Sequence, residues 1–206
     1  MSRYVITIAR GYGSGGRTIG KMLSKDLNIP FYDRELLRLA SDDSGINEEL
    51  FAKADEKLKK TRLFKIARKA YTGELIPPDG DDFVSNDNLF NYQAKIIKEL
   101  AETESCVIVG RCADYILKDC DRVVKVFVHA PLEDCIITLK GMTGKEDKEI
   151  EKKIKSIDKH RAEYYEYYTG RRWNNASNYD LCLNSSQLGF QKCVDIVKSY
   201  MDIRFS

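Results

Sequence analysis

The chain has 206 residues, and its 34 Lys and Arg nearly cancel its 32 Asp and Glu, so a net charge of +2 supplies no global field toward nucleic acid or a membrane surface. The length suits one α/β domain with a sizeable core rather than two full domains. Six cysteines include no C-x-x-C pair and only His129 and His160 could join them, which argues against a zinc site and for buried, reduced thiols.

The first expected element is an apolar strand over 4–9, and it runs directly into Gly11-Tyr12-Gly13-Ser14-Gly15-Gly16-Arg17-Thr18 and a helix over 18–27. A strand, a glycine-rich turn and a helix start leave several backbone N–H groups facing one spot, where the helix dipole adds partial positive charge. The spacing from Gly11 to Thr18 is G-x-x-x-x-G-[basic]-T, the P-loop pattern with arginine where lysine is usual. Gly11, Gly13 and Gly16 also satisfy G-x-G-x-x-G, with Asp33 standing where the ribose-binding acid of a dinucleotide site would sit. A glycine turn without a ligand is the third reading. In the P-loop reading the amides from Gly13 to Thr18 cradle the polyphosphate of ATP, Ser14 adds a donor, Arg17 supplies charge and Thr18 ligates Mg²⁺.

A short strand over 29–32 follows and ends on Tyr32-Asp33-Arg34-Glu35. Asp33 could bind a ribose hydroxyl, hold a metal-bound water or cap the next helix, and Arg34 suits a phosphate. Helices are expected over 34–40 and 48–60, then a loop over 72–88 with Pro77, Pro78, two glycines and four aspartates, then a helix over 89–102. The β-branched run 106–109 leads into Gly110-Arg111, and since the carboxyl ends of parallel strands share one edge, Arg111 should emerge beside the glycine loop.

A helix over 113–117, a strand over 123–128 and a helix over 132–140 come next. The polar helix 145–168 follows, rich in lysines before Tyr164, Tyr165, Tyr167 and Tyr168, with Asp158 and Arg161 three apart on one face. It reads as a solvated face or as a set of cations able to close over phosphates. A strand over 181–183 and a helix over 188–201 complete the pattern. Strand alternating with helix gives an α/β class with a parallel sheet. No apolar run reaches the length of a signal peptide or a membrane span, so the expected location is the cytoplasm. Oligomeric state is not legible.

Gly11 to Thr18, Pro30-Phe31-Tyr32-Asp33-Arg34-Glu35, Gly110-Arg111, the run from Asp158 through Arg161 to Gly170 and the stretch from Tyr179 to Ser186 together resemble the cytidylate kinase-like family of P-loop proteins, over nearly the whole chain. The resemblance implies a three-layer P-loop NTPase fold of one domain, a central parallel sheet with helices on both faces. It further implies a mobile acceptor-binding insertion around 41–88 and a lid around 141–172. It implies transfer of the γ-phosphate of ATP, with Mg²⁺, to CMP or dCMP. Gly11, Gly13, Ser14, Gly15, Gly16, Arg17 and Thr18 would bind ATP. Asp33, Arg34, Gly110, Arg111, Asp158 and Arg161 would face the acceptor, and Arg17, Arg111 and Arg161 would neutralise charge during transfer. Three positions depart from the family pattern: Arg17 replaces lysine, Cys112 stands where cytidylate kinases carry the acid of Gly-Arg-Asp, and an arginine is missing around Cys135. Those departures motivate a second reading, a nucleotide-binding regulator without transfer. A dinucleotide-binding oxidoreductase is the third.

Overall fold

The computed structural model describes residues 3–57 and 73–206; the expected helix end at 58–60 and the start of the loop at 72 lie outside them. Five strands, β1 (Val5–Arg10), β2 (Phe31–Tyr32), β3 (Cys106–Val109), β4 (Val123–His129) and β5 (Leu181–Asn184), form one sheet in the order β2-β3-β1-β4-β5. Every pairing is parallel. In register, Val5 faces both Cys106 and Val123 across its two neighbours. The central strand therefore delivers the glycine loop to the middle of the carboxyl edge.

Side chains alternate across the sheet. Val5, Cys106, Ile108 and Val123 enter one core, with Leu36, Phe51, Phe90, Ile97 and Leu117. Ile6, Ile8, Val107, Val109, Val124, Val126 and Val128 enter the other, with Ile19, Leu23, Val194 and Val197. Burial on both faces explains why these strands read as unbroken apolar runs rather than as alternating ones. The helices α1 (Gly16–Leu27) and α8 (Ser185–Phe205) pack together over the second core. The first core is covered by α2 (Glu35–Ser44), α3 (Glu48–Lys57), α4 (Asn86–Thr103) and the short α5 (Ala113–Ile116). The result is the three-layer α/β fold.

The helices α6 (Leu132–Thr143) and α7 (Asp147–Thr169) make a hairpin with a small core of its own, Cys135, Leu139, Ile150 and Ile154, against which Tyr12 of the glycine loop packs. Farther along α7, Tyr165 and Tyr168 return to the main core, where the Tyr168 ring stacks on Phe90 with centroids 3.9 Å apart. Lys152, Lys153, Lys155 and Lys159 lie on the exposed side. The polar helix is thus solvated on one face and anchored on the other.

The loop expected over 72–88 is shorter than its composition implies, because α4 already begins at Asn86 with Ser85 as its cap. Asn88, fully buried, accepts a hydrogen bond from the Ile76 amide at 2.8 Å and donates to the Ile76 and Phe83 carbonyls. One amide side chain fastens the Pro77-Pro78 turn to the body. Strand and helix limits elsewhere differ from the expected ones by a few residues, most usefully at β1, which extends to Arg10.

Candidate active site

The loop after β1 is shaped by its own hydrogen bonds. The Gly11 amide donates to the Val128 carbonyl at 3.0 Å, and the Ser14 amide to the Gly11 carbonyl at 3.3 Å. The Ser14 hydroxyl, buried, has the Gly11 and Val128 carbonyls at 2.9 and 3.1 Å, so its single proton is spent inside the loop rather than on a ligand. Ser185 donates to the Ser14 carbonyl at 2.6 Å, tying the loop to α8. Gly13 and Gly15 both have positive φ, 89° and 77°. Gly15 precedes α1 without a side-chain cap, and the Ile19 amide closes the first turn on the Gly15 carbonyl at 2.9 Å. The amides of Gly16, Arg17 and Thr18 therefore have no carbonyl of their own helix to bond, and they carry the positive end of its dipole. Such an arrangement, a cup of amides, can receive an anion.

Beside the cup the structure gathers the arginines. Arg17, more than half exposed, donates from Nε to Asp33 Oδ2 at 2.7 Å, and Arg10 Nη2 lies 3.8 Å from Asp33 Oδ1. Arg161 donates from Nη1 to the Arg10 carbonyl at 2.9 Å and to Asp158 Oδ1 at 3.1 Å. That same Asp158 oxygen accepts from the Tyr12 amide at 2.8 Å, so Asp158 and Arg161 grip both ends of the loop's first turn. Arg111 reaches Gln93 Oε1 at 3.5 Å. Arg34 opens α2 on the exposed side, near enough to Arg111 for like-charge repulsion.

These charges are held under strain of two kinds. Burial pushes the Arg10 guanidinium down to about 9, with Arg161 and Arg111 repelling it and Asp33 partly offsetting them. Burial lowers Arg111 and Arg161 as well, and raises Asp158 despite its hydrogen bonds. The second strain is in the backbone: Gly110, Arg111 and Cys112 have φ of 80°, 59° and 54°, three left-handed residues in succession. Left-handed geometry costs a non-glycine residue about 1–2 kcal/mol. The turn aims Arg111 into a cavity of about 170 Å³ that Arg10, Arg161, Asp114, Tyr164 and Trp173 also line.

Of the expected site residues, Gly11 to Thr18, Asp33, Gly110, Arg111, Asp158 and Arg161 converge on this edge. Tyr164 of the tyrosine run joins them, and Arg10, Asp114 and Trp173 complete the cavity without a signal of their own in the sequence. Arg10 reads in sequence as the last residue of a strand, and only its place immediately before Gly11 hints at more. Asp114 lies four residues after Gly110 with no motif of its own. Cys112 is buried and its thiol is raised well above the usual range, so it contributes no charge where an acid would stand. All six cysteines are free thiols.

Asp114 allows a direct test of this electrostatics. Its carboxylate accepts from the Tyr165 hydroxyl at 2.6 Å, yet burial raises it from 3.8 to about 6. A carboxyl that holds its proton more tightly when folded favours the fold below the unfolded pKa, and that advantage is lost as pH rises through the folded one. The shift corresponds to about 3 kcal/mol lost between pH 4 and pH 7. Asp114→Asn, which keeps an acceptor for Tyr165, should melt several degrees higher than the parent at pH 8 and at nearly the same temperature at pH 4. Parallel melting curves across that range would refute the buried-carboxylate account.

Comparison with known proteins defines the class. The sequence model of the cytidylate kinase-like family matches residues 5–187, and the chain belongs to that family. Among solved structures, an uncharacterized protein from Eubacterium ventriosum ATCC 27560 shares 25% identity at a TM-score of 0.71, over 97% of this chain and 99% of that one. Shikimate kinase from Bacteroides thetaiotaomicron shares 18% identity at a TM-score of 0.55, over 98% of this chain and 99% of that one. Shikimate kinase from Acinetobacter baumannii in complex with shikimate shares 13% identity at a TM-score of 0.52, over 97% of this chain and 93% of that one. No curated protein matches by sequence. The fold is that of the P-loop kinases. Asp33, the acid on which the dinucleotide reading depended, is engaged by Arg17 and Arg10, and that reading is set aside. Among the described residues no helix is long and apolar enough to cross a membrane.

Proposed function

We propose that this chain is a phosphotransferase that moves the γ-phosphate of ATP to a small acceptor of the nucleoside monophosphate class, such as CMP or dCMP. The observation that carries this reading is the adjacency of an uncapped helix start after the glycine loop and a cavity lined by Arg10, Arg111 and Arg161. Of the amides from Gly13 to Thr18, that of Ser14 is spent on the Gly11 carbonyl, and those of Gly16, Arg17 and Thr18 hold the donor polyphosphate. Mg²⁺ would come with the nucleotide, and the Thr18 hydroxyl is the group that would hold it. Bound there, the ion would neutralise phosphate charge.

In this reading Arg17 faces the donor, Arg111 forks onto the acceptor phosphate, and Arg161, fixed by Asp158, faces the charge that develops between them. Asp33 and Arg34 stand at the acceptor side, beside an insertion around 41–88. The region around 141–172, which takes in α7 and the end of α6, serves as the lid, a role supported by the small core that α7 shares with α6 and by the packing of Tyr12 against that core. No side-chain nucleophile is required, because positioning and charge neutralisation supply the catalysis. ADP release measured with a panel of nucleoside monophosphates tests the reading. Turnover with one base and not the others is the expected result, and no release with any of them would refute it.

One observation favours a second reading. Arg17 Nε bonds Asp33 rather than turning back over the loop, as a nucleotide-binding regulator without transfer would tolerate. Tight ATP binding without turnover, unchanged in Arg17→Lys, would establish that alternative.

A further inference from the structure

Arg10 packs its stem against Gly16 and its guanidinium against Gly110. A Cβ on Gly16 would come within 2.5 Å of Arg10 Cβ, and one on Gly110 within 2.3 Å of Arg10 Nη1. The stem therefore crosses the start of α1, and the guanidinium lies along the turn that carries Arg111. This places it at the junction of the amide cup and the cavity, which both arginines line. Its carboxylate contact, to Asp33, is a loose 3.8 Å, and Asp33 is bonded more closely to Arg17 at 2.7 Å.

Arg10 is short of counter-charge: among the described residues Arg161 and Arg111 repel it, and of the two carboxylates that offset them Asp33 is shared with the more exposed Arg17 and Asp158 is bonded by Arg161. Asp114 lines the same cavity, and the cations that act on it are Lys125 and Arg171. Burying like charges together is unfavourable unless an anion joins them. A phosphomonoester dianion carries two negative charges and enough acceptor oxygens for several guanidiniums; a neutral alcohol carries neither.

We propose that Arg10 is an anion-binding residue of the acceptor cavity and that it receives the acceptor's phosphate together with Arg111. This rests on the transferase reading only for the word acceptor; the anion site stands on geometry alone. As the phosphate enters, Arg10 exchanges its loose contact with Asp33 for charge-assisted hydrogen bonds. The guanidinium already lies against the Gly110 turn that carries Arg111, so it has little distance to move on binding.

Trp173, the one tryptophan in the chain, lines the same cavity and reports on it. The experiment titrates inorganic phosphate against Trp173 fluorescence with Mg·ADP present to fill the cup, in the parent, Arg10→Met and Arg10→Lys. Arg10→Met keeps an unbranched stem between the glycines, and Arg10→Lys keeps the charge without the fork. Half-saturation should weaken about 10- to 100-fold in Arg10→Met and less in Arg10→Lys, with the thermal shift given by Mg·ADP unchanged. Equal half-saturation in parent and variants, or no response of the parent up to tens of millimolar phosphate, overturns the proposal. Should Arg10→Met not melt cooperatively, the Arg10→Lys comparison decides by the same criterion. A phosphate response lost with Arg10 supports the anion site even where ADP release fails with every mononucleotide, an outcome that counts against the transferase reading alone.

Discussion

Arg111→Ala is expected to lower kcat/KM for the acceptor by about 100- to 1,000-fold while the melting temperature holds or rises. Two features make the effects oppose each other. Arg111 is desolvated, and burial is the main cause of its lowered pKa, which means that its charge disfavours the folded state. Its backbone sits at a φ of 59°, where alanine fares no worse and glycine fares better. Removing the side chain thus relieves the unliganded protein and deprives the bound acceptor of a planar, two-pronged cation in a site of low dielectric. Arg111→Gly should melt higher still, with the same loss of activity. Steady-state kinetics at varied acceptor and fixed ATP, set beside thermal melts, checks both halves. A variant that loses stability in step with activity would make Arg111 a structural residue.

The chain order of strands, the loop after the first strand and the arrival of Gly110-Arg111 at the same edge were legible because each depends on local pattern plus one topological rule for parallel sheets. Arg10 was not legible. Nothing in Ile-Ala-Arg-Gly distinguishes a strand-terminal arginine in solvent from one threaded between Gly16 and Gly110, since the second glycine lies a hundred residues away. Asp114 was hidden in the same way, its partner Tyr165 being supplied by a distant helix. Ser14 shows the converse. A serine in a phosphate loop reads as a ligand donor, yet the tight turn places two carbonyls within its reach, and the loop consumes the hydroxyl.

Helix α7 illustrates why a charge run cannot be assigned from its composition. The lysines and Asp158 share one stretch of sequence, but the helical period separates them. Lys152, Lys155 and Lys159 go to solvent, and Asp158 with Arg161 turns toward the loop. The two readings of the segment, solvated face and phosphate-facing surface, each describe one side of the same helix. Its aromatic half then does what neither foresaw, stacking Tyr168 on Phe90 and fixing the helix against α4.

The largest structural effect is expected at Gly15. Gly15→Ala places a Cβ 2.3 Å from Phe190 Cε1 and 2.4 Å from Cζ, at a backbone φ of 77°. Overpacking costs about 1–3 kcal/mol and left-handed alanine about 1–2 kcal/mol, so the melting temperature should fall by roughly 5–15 °C. The ring is in the way because α8 is kinked at Gly189, with φ 74° and ψ 161°, which sets Phe190 under the loop. Either response of the protein, moving the ring or moving the loop, shifts the Gly16 to Thr18 amides off their common focus, and ATP affinity should fall with stability. Phe190→Ala supplies the control: in that background the clash is gone and the backbone strain is not, so Gly15→Ala should cost only about 1–2 kcal/mol more. A double-mutant cycle by thermal or urea melts measures the difference. Equal cost in both backgrounds would mean that Phe190 does not enforce glycine here, and the loop's shape would then rest on backbone geometry alone.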